Sequence, residues 1–198
     1  MKAIVFLCLL TVSLATVNAQ DYLTAPQLER KEGVMYIKGS DTPFSGDYTM
    51  NHDNGKIFIK GQYVNGLKEG KWVVYDSLGA LRSEEAFAKD QWEGERKTYH
   101  PNGKISTTES FKAGIRNGLH QGFYENGQLI FKVNEVNGHK VGSWVYYHNN
   151  GKAWEKGQFK ANKHEGKWTT YDGNGKTTSV RKYKEGKQIS GPVMEANK

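Results

Sequence analysis

From Asp53 onward, apolar and polar positions alternate in short strand-like runs that glycines interrupt at regular intervals. Asp53 to Gly79 reads DNGKIFIKGQYVNGLKEGKWVVYDSLG. An Asn-Gly turn leads into a run from Ile57 to Tyr63, a glycine-bounded turn spans Asn65 to Gly70, and a second run covers Trp72 to Tyr75 before the closing glycine. Two short alternating runs joined by such a turn predict a β-hairpin.

The block recurs every 24 residues. Its turn glycines are Gly55, Gly79, Gly103, Gly127, Gly151 and Gly175, and all but Gly79 follow Asn. A second series runs through Gly46, Gly70, Gly94, Gly118, Gly142 and Gly166. A third is partial: Gly66, Gly114, Gly138 and Gly186 keep the spacing, while Asp90 and Asn162 fill the remaining slots. Asp and Asn tolerate the left-handed backbone of tight hairpin turns, so these replacements are expected to preserve the turn.

Aromatic columns share the period. The second run ends in Tyr75, Tyr99, Phe123, Tyr147 and Tyr171, and it starts with Trp72, Trp144 and Trp168, with Arg96 and His120 in the two middle copies. In the first run Ile57, Leu81, Ile105 and Leu129 recur, followed six residues later by Tyr63, Phe87, Phe111, Glu135, Phe159 and Tyr183. An offset of six keeps both positions on one face of a strand. A lone hairpin is marginal in water, whereas hairpins laid side by side bury a shared stripe. The expectation is therefore an all-β, elongated single-sheet meander of about six stacked hairpins over residues 46–186, on the order of 55 Å along the stack.

The flanks break the pattern. Residues 20–45 read as an irregular N-terminal cap, with a helical turn expected over Ala25 to Arg30, a strand over Gly33 to Lys38, and Pro43 where the array starts. Residues 187–198, with Pro192, read as a polar tail that stops further pairing. Residues 1–19 have a positively charged start at Lys2, an apolar stretch from Ile4 to Leu14, and a small-residue site at Val17-Asn18-Ala19, which together predict a secretory signal peptide and an exported mature chain. The single cysteine, Cys8, lies inside that leader, so disulfides and cysteine catalysis are excluded from the mature chain.

Composition adds one asymmetry. Gln20 to Gly138 holds fifteen Lys and Arg against sixteen Asp and Glu, whereas His139 to Lys198 holds twelve against five. A basic C-terminal half favours anionic partners such as acidic polysaccharide or lipid headgroups, and the export signal argues against nucleic acid.

The recurring pattern of Asn-Gly-Lys-Ile, an aromatic, Asn-Gly, Glu-Gly-Lys-Trp and Tyr resembles the bacterial variant of the MORN repeat, and in particular the YwqK family, often labelled antitoxin. Gly39 to Gly46 also resembles that family's segment leading into its first repeat, so the resemblance covers about Glu32 to Gly186. It implies a meander of hairpins that binds or scaffolds, without an established catalytic centre. Leu78-Gly79, Glu135 and the Trp-less Gly118 to Phe123 depart from the pattern, which suggests that the middle copies are the least well packed.

Candidate chemistry is sparse. His52, His100 and His148 share one phase, with Asp76 and Asp172 interleaved and Tyr124 in the remaining slot, but residues one copy apart sit roughly 10 Å from each other, too far to share a metal. No cofactor or metal is expected. Glu84, Glu85, Glu109 and Glu155 lie in first strands, where a solvent-facing position accounts for each. Trp72, Trp144 and Trp168 read as repeat core, while Trp92 and Trp154 fall outside their register and are better candidates for exposed contacts. With Arg96, His120, Lys163 and Lys167, these two tryptophans form the candidate partner-binding set, and the turn glycines are structural. The functional expectation is a non-enzymatic exported scaffold that binds a protein or envelope component. The alternatives are an antitoxin that neutralises a partner toxin and a carbohydrate- or phospholipid-binding envelope protein. Free sheet edges would allow a homodimer.

Overall fold

The computed structural model describes residues 27–192, so the expected leader at 1–19, the start of the expected cap at 20–26 and the end of the tail at 193–198 lie outside the described residues. A short hairpin, β1 (Leu28–Lys31) and β2 (Val34–Ile37), precedes the array. Then come β3 (Gly46–Asn51), β4 (Ile57–Val64), β5 (Leu67–Tyr75), β6 (Leu81–Ala88), β7 (Gln91–Trp92), β8 (Gly94–Tyr99), β9 (Ile105–Lys112) and β10 (Ile115–Phe123). The order continues through β11 (Leu129–Val136), β12 (His139–Tyr147), β13 (Ala153–Lys160), β14 (Lys163–Tyr171), β15 (Thr177–Lys184) and β16 (Lys187–Ser190). From β3 to β16 the strands form one 14-stranded antiparallel sheet in sequence order, with β7 beside β6 as the broken first half of the strand that β8 completes. This is the all-β hairpin meander that the periodicity predicts.

Each repeat reverses twice. At one end, residue pairs such as Asn65-Gly66 and Asn137-Gly138 both have positive φ, the two-residue turn whose twist matches the strands it joins. Lys89-Asp90 and Ala161-Asn162 adopt the same geometry with Asp and Asn in the glycine slot. At the other end, Gly55, Gly79, Gly103, Gly127, Gly151 and Gly175 all have φ between 79 and 91°.

The Asn-Gly-Lys triplets also join neighbouring copies. The Asn54 side chain donates to the Ser77 carbonyl at 2.7 Å and the Lys56 ammonium to the Leu78 carbonyl at 2.8 Å. Asn102 and Lys104, and Asn150 and Lys152, repeat both bonds. Along the opposite margin each turn hydrogen-bonds back to the copy before it, as from the Gly138 N–H to the Arg116 carbonyl at 2.8 Å.

Two expectations about the flanks are corrected. Leu28 to Arg30 are strand, because Glu32 and Gly33, with φ of 50 and 86°, close a tight hairpin onto Val34–Ile37. That hairpin is fixed to the array by the Met35 N–H on the Gly66 carbonyl at 2.9 Å and by an Arg30–Asp90 ion pair at 2.5 Å. At the far end, pairing runs past Gly186: Lys187–Ser190 continues the sheet, with Lys184 opposite Lys187 and, across a register shift, Lys182 opposite Ser190.

Ala161 sits at φ 47°, a left-handed position where a non-glycine, non-Asn residue is disfavoured by about 1 kcal/mol. Ala161→Asn is expected to stabilise the fold by up to about 1 kcal/mol, read as a rise in urea midpoint at unchanged slope.

Candidate functional site

One face of the sheet carries a continuous row of aromatic rings, while Tyr75, Tyr99 and Tyr171 lie on the other, against Lys60, Glu84 and Lys156. Across the first face run Tyr48, Tyr63, Trp72, Phe87, Trp92 and Phe111, and, beyond the centre, Phe131, Trp144, Phe159, Trp168 and Tyr183, with neighbouring rings 4.9 to 6.3 Å apart, mostly edge-on. Trp72 and Trp168 are almost fully buried, as expected for repeat core. Each lies flat on a glycine of the preceding strand: a Cβ at Gly61 or Gly157 would come within 2.2 Å of the indole. The tryptophan column therefore has a partner column of glycine that the sequence reading did not identify.

The middle copies change both columns together. Where Arg96 and His120 replace tryptophan, the glycine phase holds Glu85 and Glu109. Arg96 bonds Glu85 at 3.3 Å and Glu109 at 2.7 Å, Arg116 reaches Glu109 through its Nε at 2.8 Å, and His120 contacts Glu135 at 3.1 Å. Glu109 and Glu135 are only 3 and 4% exposed. The middle copies are thus not left loosely packed, as the sequence suggested; an ionic cluster fills the space that the rings fill elsewhere. Burial alone would raise the Glu109 pKa, but the hydrogen bonds from Arg96 and Arg116 outweigh it and hold the carboxyl below its ordinary value.

The four candidate acids are also corrected. None is simply solvent-facing: Glu85 and Glu109 belong to this cluster, Glu155 pairs with Arg181 at 3.2 Å, and Glu84 bonds Lys71 and Tyr99 on the opposite face. Burial and the Glu84 hydrogen bond push the Tyr99 pKa up to about 12. Isolated carboxylates do not survive half-burial, so each has acquired a cation.

The candidate binding residues fall into three groups. Trp92, Arg96 and His120 come together in the central cluster. Trp92 is not an exposed contact: it is wedged between Phe87 and Phe111, and its indole N–H points to Glu85 at 3.4 Å. Trp154 is 44% exposed and lies in the C-terminal part of the face. Lys163 and Lys167 are exposed but alternate with His164 and Trp168 along β14, so they project from the other face. The sequence reading missed a row of cations on the rings themselves. The Lys68 ammonium lies 4.5 Å from the Trp72 ring centre and 4.7 Å from Phe87, Arg96 sits over Trp92 at 5.2 Å, and Lys140 is 5.4 Å from both Trp144 and Phe159. Lys68, Arg116 and Lys140 occupy one 24-residue phase, which Trp92 and His164 complete.

The phase of His52, His100 and His148 has a structural use. Each ring Nε2–H donates to a backbone carbonyl of the next copy, Tyr75, Phe123 and Tyr171 at 2.7 to 3.1 Å, and the Tyr124 hydroxyl does the same to Tyr147. Among the described residues no group of three or more His, Cys, Asp or Glu is placed to hold a metal.

A single-layer sheet built from stacked hairpins, with one aromatic and cationic face, is a repeat scaffold. The MORN repeat variant matches residues 45–65, 92–113, 116–134 and 140–161, so these four segments are similar to that repeat. The hairpins between and after those segments keep the same glycine and aromatic phases. No curated protein matches the chain.

Removing the acid at the centre of the cluster takes the carboxylate partner from Arg116 and leaves Arg96 with Glu85 alone. Glu109→Gln is expected to destabilise by about 2–4 kcal/mol, against less than about 1 kcal/mol for Glu84→Gln at its more exposed pair, both measured by chemical unfolding. A second expectation concerns His164, whose pKa is lowered by burial and by the nearby charges of Arg181 and Lys140. The folded state resists protonation there, so stability present above pH ~6.5 is lost as pH falls through the lower folded value. Glu155, raised by burial, works in the opposite direction as pH rises above its ordinary value, so the two must be separated by mutation. The fall in melting temperature from pH 7 to pH 5 should be shallower in His164→Phe than in the parent chain.

Proposed function

We propose that this protein is an exported, non-enzymatic scaffold whose aromatic and cationic face binds a protein or a component of the cell envelope. The observation that carries this reading is the cation row. Lys68 and Lys140 rest on rings of a face that no second layer covers among the described residues, and between them Arg96 and Arg116 lie on rings with their charge balanced by Glu85 and Glu109. Such a surface offers positive charge held over apolar area, suited to partners that present acidic groups beside apolar ones. It also moves the electrostatic argument away from the lysine-rich C-terminal half as a whole and onto a phase that starts at Lys68. Anionic polysaccharide and lipid headgroups share the required chemistry.

Export is supported by the leader pattern of residues 1–19. An antitoxin of the YwqK type would use the same face, with a toxin met outside the cytosol as the bound protein. Strands β3 and β16 end the sheet, and their outer edges are where a second copy would pair to form a homodimer.

The test is affinity capture from the envelope fraction of the producing cell. Lys68→Glu with Lys140→Glu is expected to reduce partner recovery several-fold, whereas Lys163→Glu with Lys167→Glu, on the opposite face, leaves it unchanged. Equal recovery with both pairs would sink the assignment to this face.

A further inference from the structure

At its C-terminal end the aromatic face opens into a groove of about 660 Å³. The repeat explains why it forms there. In interior copies a tryptophan of the second strand lies over the first strand beside it, as Trp72 does on Gly61 and Trp168 on Gly157. The next residue in that phase, 24 positions beyond Trp168, is Pro192, and the glycine phase holds Arg181. A proline is too small to cover the strand as an indole does, so the side chains of β15 are left facing a gap.

Trp154 supplies the facing wall. Tyr146 pairs with Glu155 and Tyr147 with Ala153, which makes Trp154 the extra residue of a bulge and turns its ring to the Glu155 side. There it meets Tyr146 edge-on at 5.2 Å. No other copy has tryptophan in this phase, where Phe58, Arg82, Ser106, Ile130 and Thr178 stand instead. The groove is lined further by Tyr183, by the Glu155–Arg181 pair, and by the hydroxyls of Thr178 and Ser179. Arg181 is 8% exposed, and its Nε–H has no acceptor among the described residues. Like the indole nitrogens of Trp72, Trp144 and Trp168, this donor is buried without a partner, so a groove ligand would meet the outer guanidinium nitrogens rather than Nε.

We propose that this groove is a saccharide subsite that seats one pyranose ring of a polysaccharide against Trp154. A pyranose has an apolar C–H face and a rim of hydroxyls that both donate and accept. The groove matches both: an aromatic wall stands next to a fixed acceptor, Glu155, a fixed donor, Arg181, and two hydroxyls that can do either. A phosphate or sulfate fits less well, since Arg181 is already engaged by Glu155, whose charge would repel it. An apolar side chain would desolvate the ion pair and return no hydrogen bond. The assignment rests on the scaffold reading for access to envelope polysaccharide, and it gives that reading a ligand class.

The experiment titrates the full chain with tetrasaccharides of β-1,4-linked glucose, β-1,4-linked N-acetylglucosamine and α-1,4-linked galacturonate, following the Trp154 indole resonance by NMR. At least one is expected to bind saturably. Trp154→Ala should weaken that binding by about tenfold at unchanged melting temperature, and Arg181→Gln should weaken it as well. Lys163→Ala should change nothing. The Trp154 variant keeps the test decisive if the buried Arg181 cannot be replaced without unfolding. The idea is overturned if no oligosaccharide shifts the indole at about 10 mM, or if Trp154→Ala binds as the parent does. It is equally overturned if a proline-rich decapeptide occupies the groove and no sugar does. Envelope capture that depends on Lys68 and Lys140 would survive each of those results, so loss of the sugar site and loss of the scaffold reading are separately visible.

Discussion

Among the described residues the sheet is one layer thick, with no second layer to bury its face, and the rest of this structure follows from that constraint. Burial has to come sideways, from the neighbouring copy. Trp72 is removed from solvent by Gly61 beneath it and by Tyr48, Tyr63 and Phe87 around it, all on the same sheet. The 24-residue period is the distance in sequence that brings such neighbours back into line. A copy that slipped by one residue would send its aromatic to the other face and uncover two others.

Both margins of the sheet meet the same requirement with polar groups. At one margin His, Asn and Lys side chains reach carbonyls of the following copy; at the other, glycine, Asp or Asn amides bond back to the preceding one. Glu69, Glu93 and Glu165 add carboxylates that accept N–H groups from the next turn. Stability is therefore spread over nearest-neighbour interfaces rather than concentrated in one core, as expected of a linear repeat protein.

Within this frame, function has room where a column changes while its packing is preserved. The central copies exchange indole and glycine for arginine and glutamate without opening the face, so the cluster around Glu109 reads first as a packing solution. The cations over rings and the groove beside Trp154 differ in kind. Lys68 and Lys140 leave charge at the surface of an apolar stripe, and the groove exists because Pro192 ends the tryptophan column. A scaffold of uniform repeats thus acquires distinct places along its length through a few substitutions in phase.

The sequence by itself determined the architecture: three glycine series and the aromatic columns specify hairpins, turns and face, because backbone handedness and period-two alternation are local properties. Asp90 and Asn162 were recognisable as turn residues for the same reason. It also separated the core tryptophans Trp72 and Trp168 from Trp154, which stays exposed. What only the tertiary structure decided was which side chains meet across strands. The placement of Trp92 between Phe87 and Phe111, the burial of Glu109 between two arginines, and the strand at Leu28–Lys31 all depend on partners in another strand or copy. Spacing of 24 gives the phase of a residue, but a bulge such as the one at Trp154 changes the face it reaches, and that shift is set by pairing register rather than by composition.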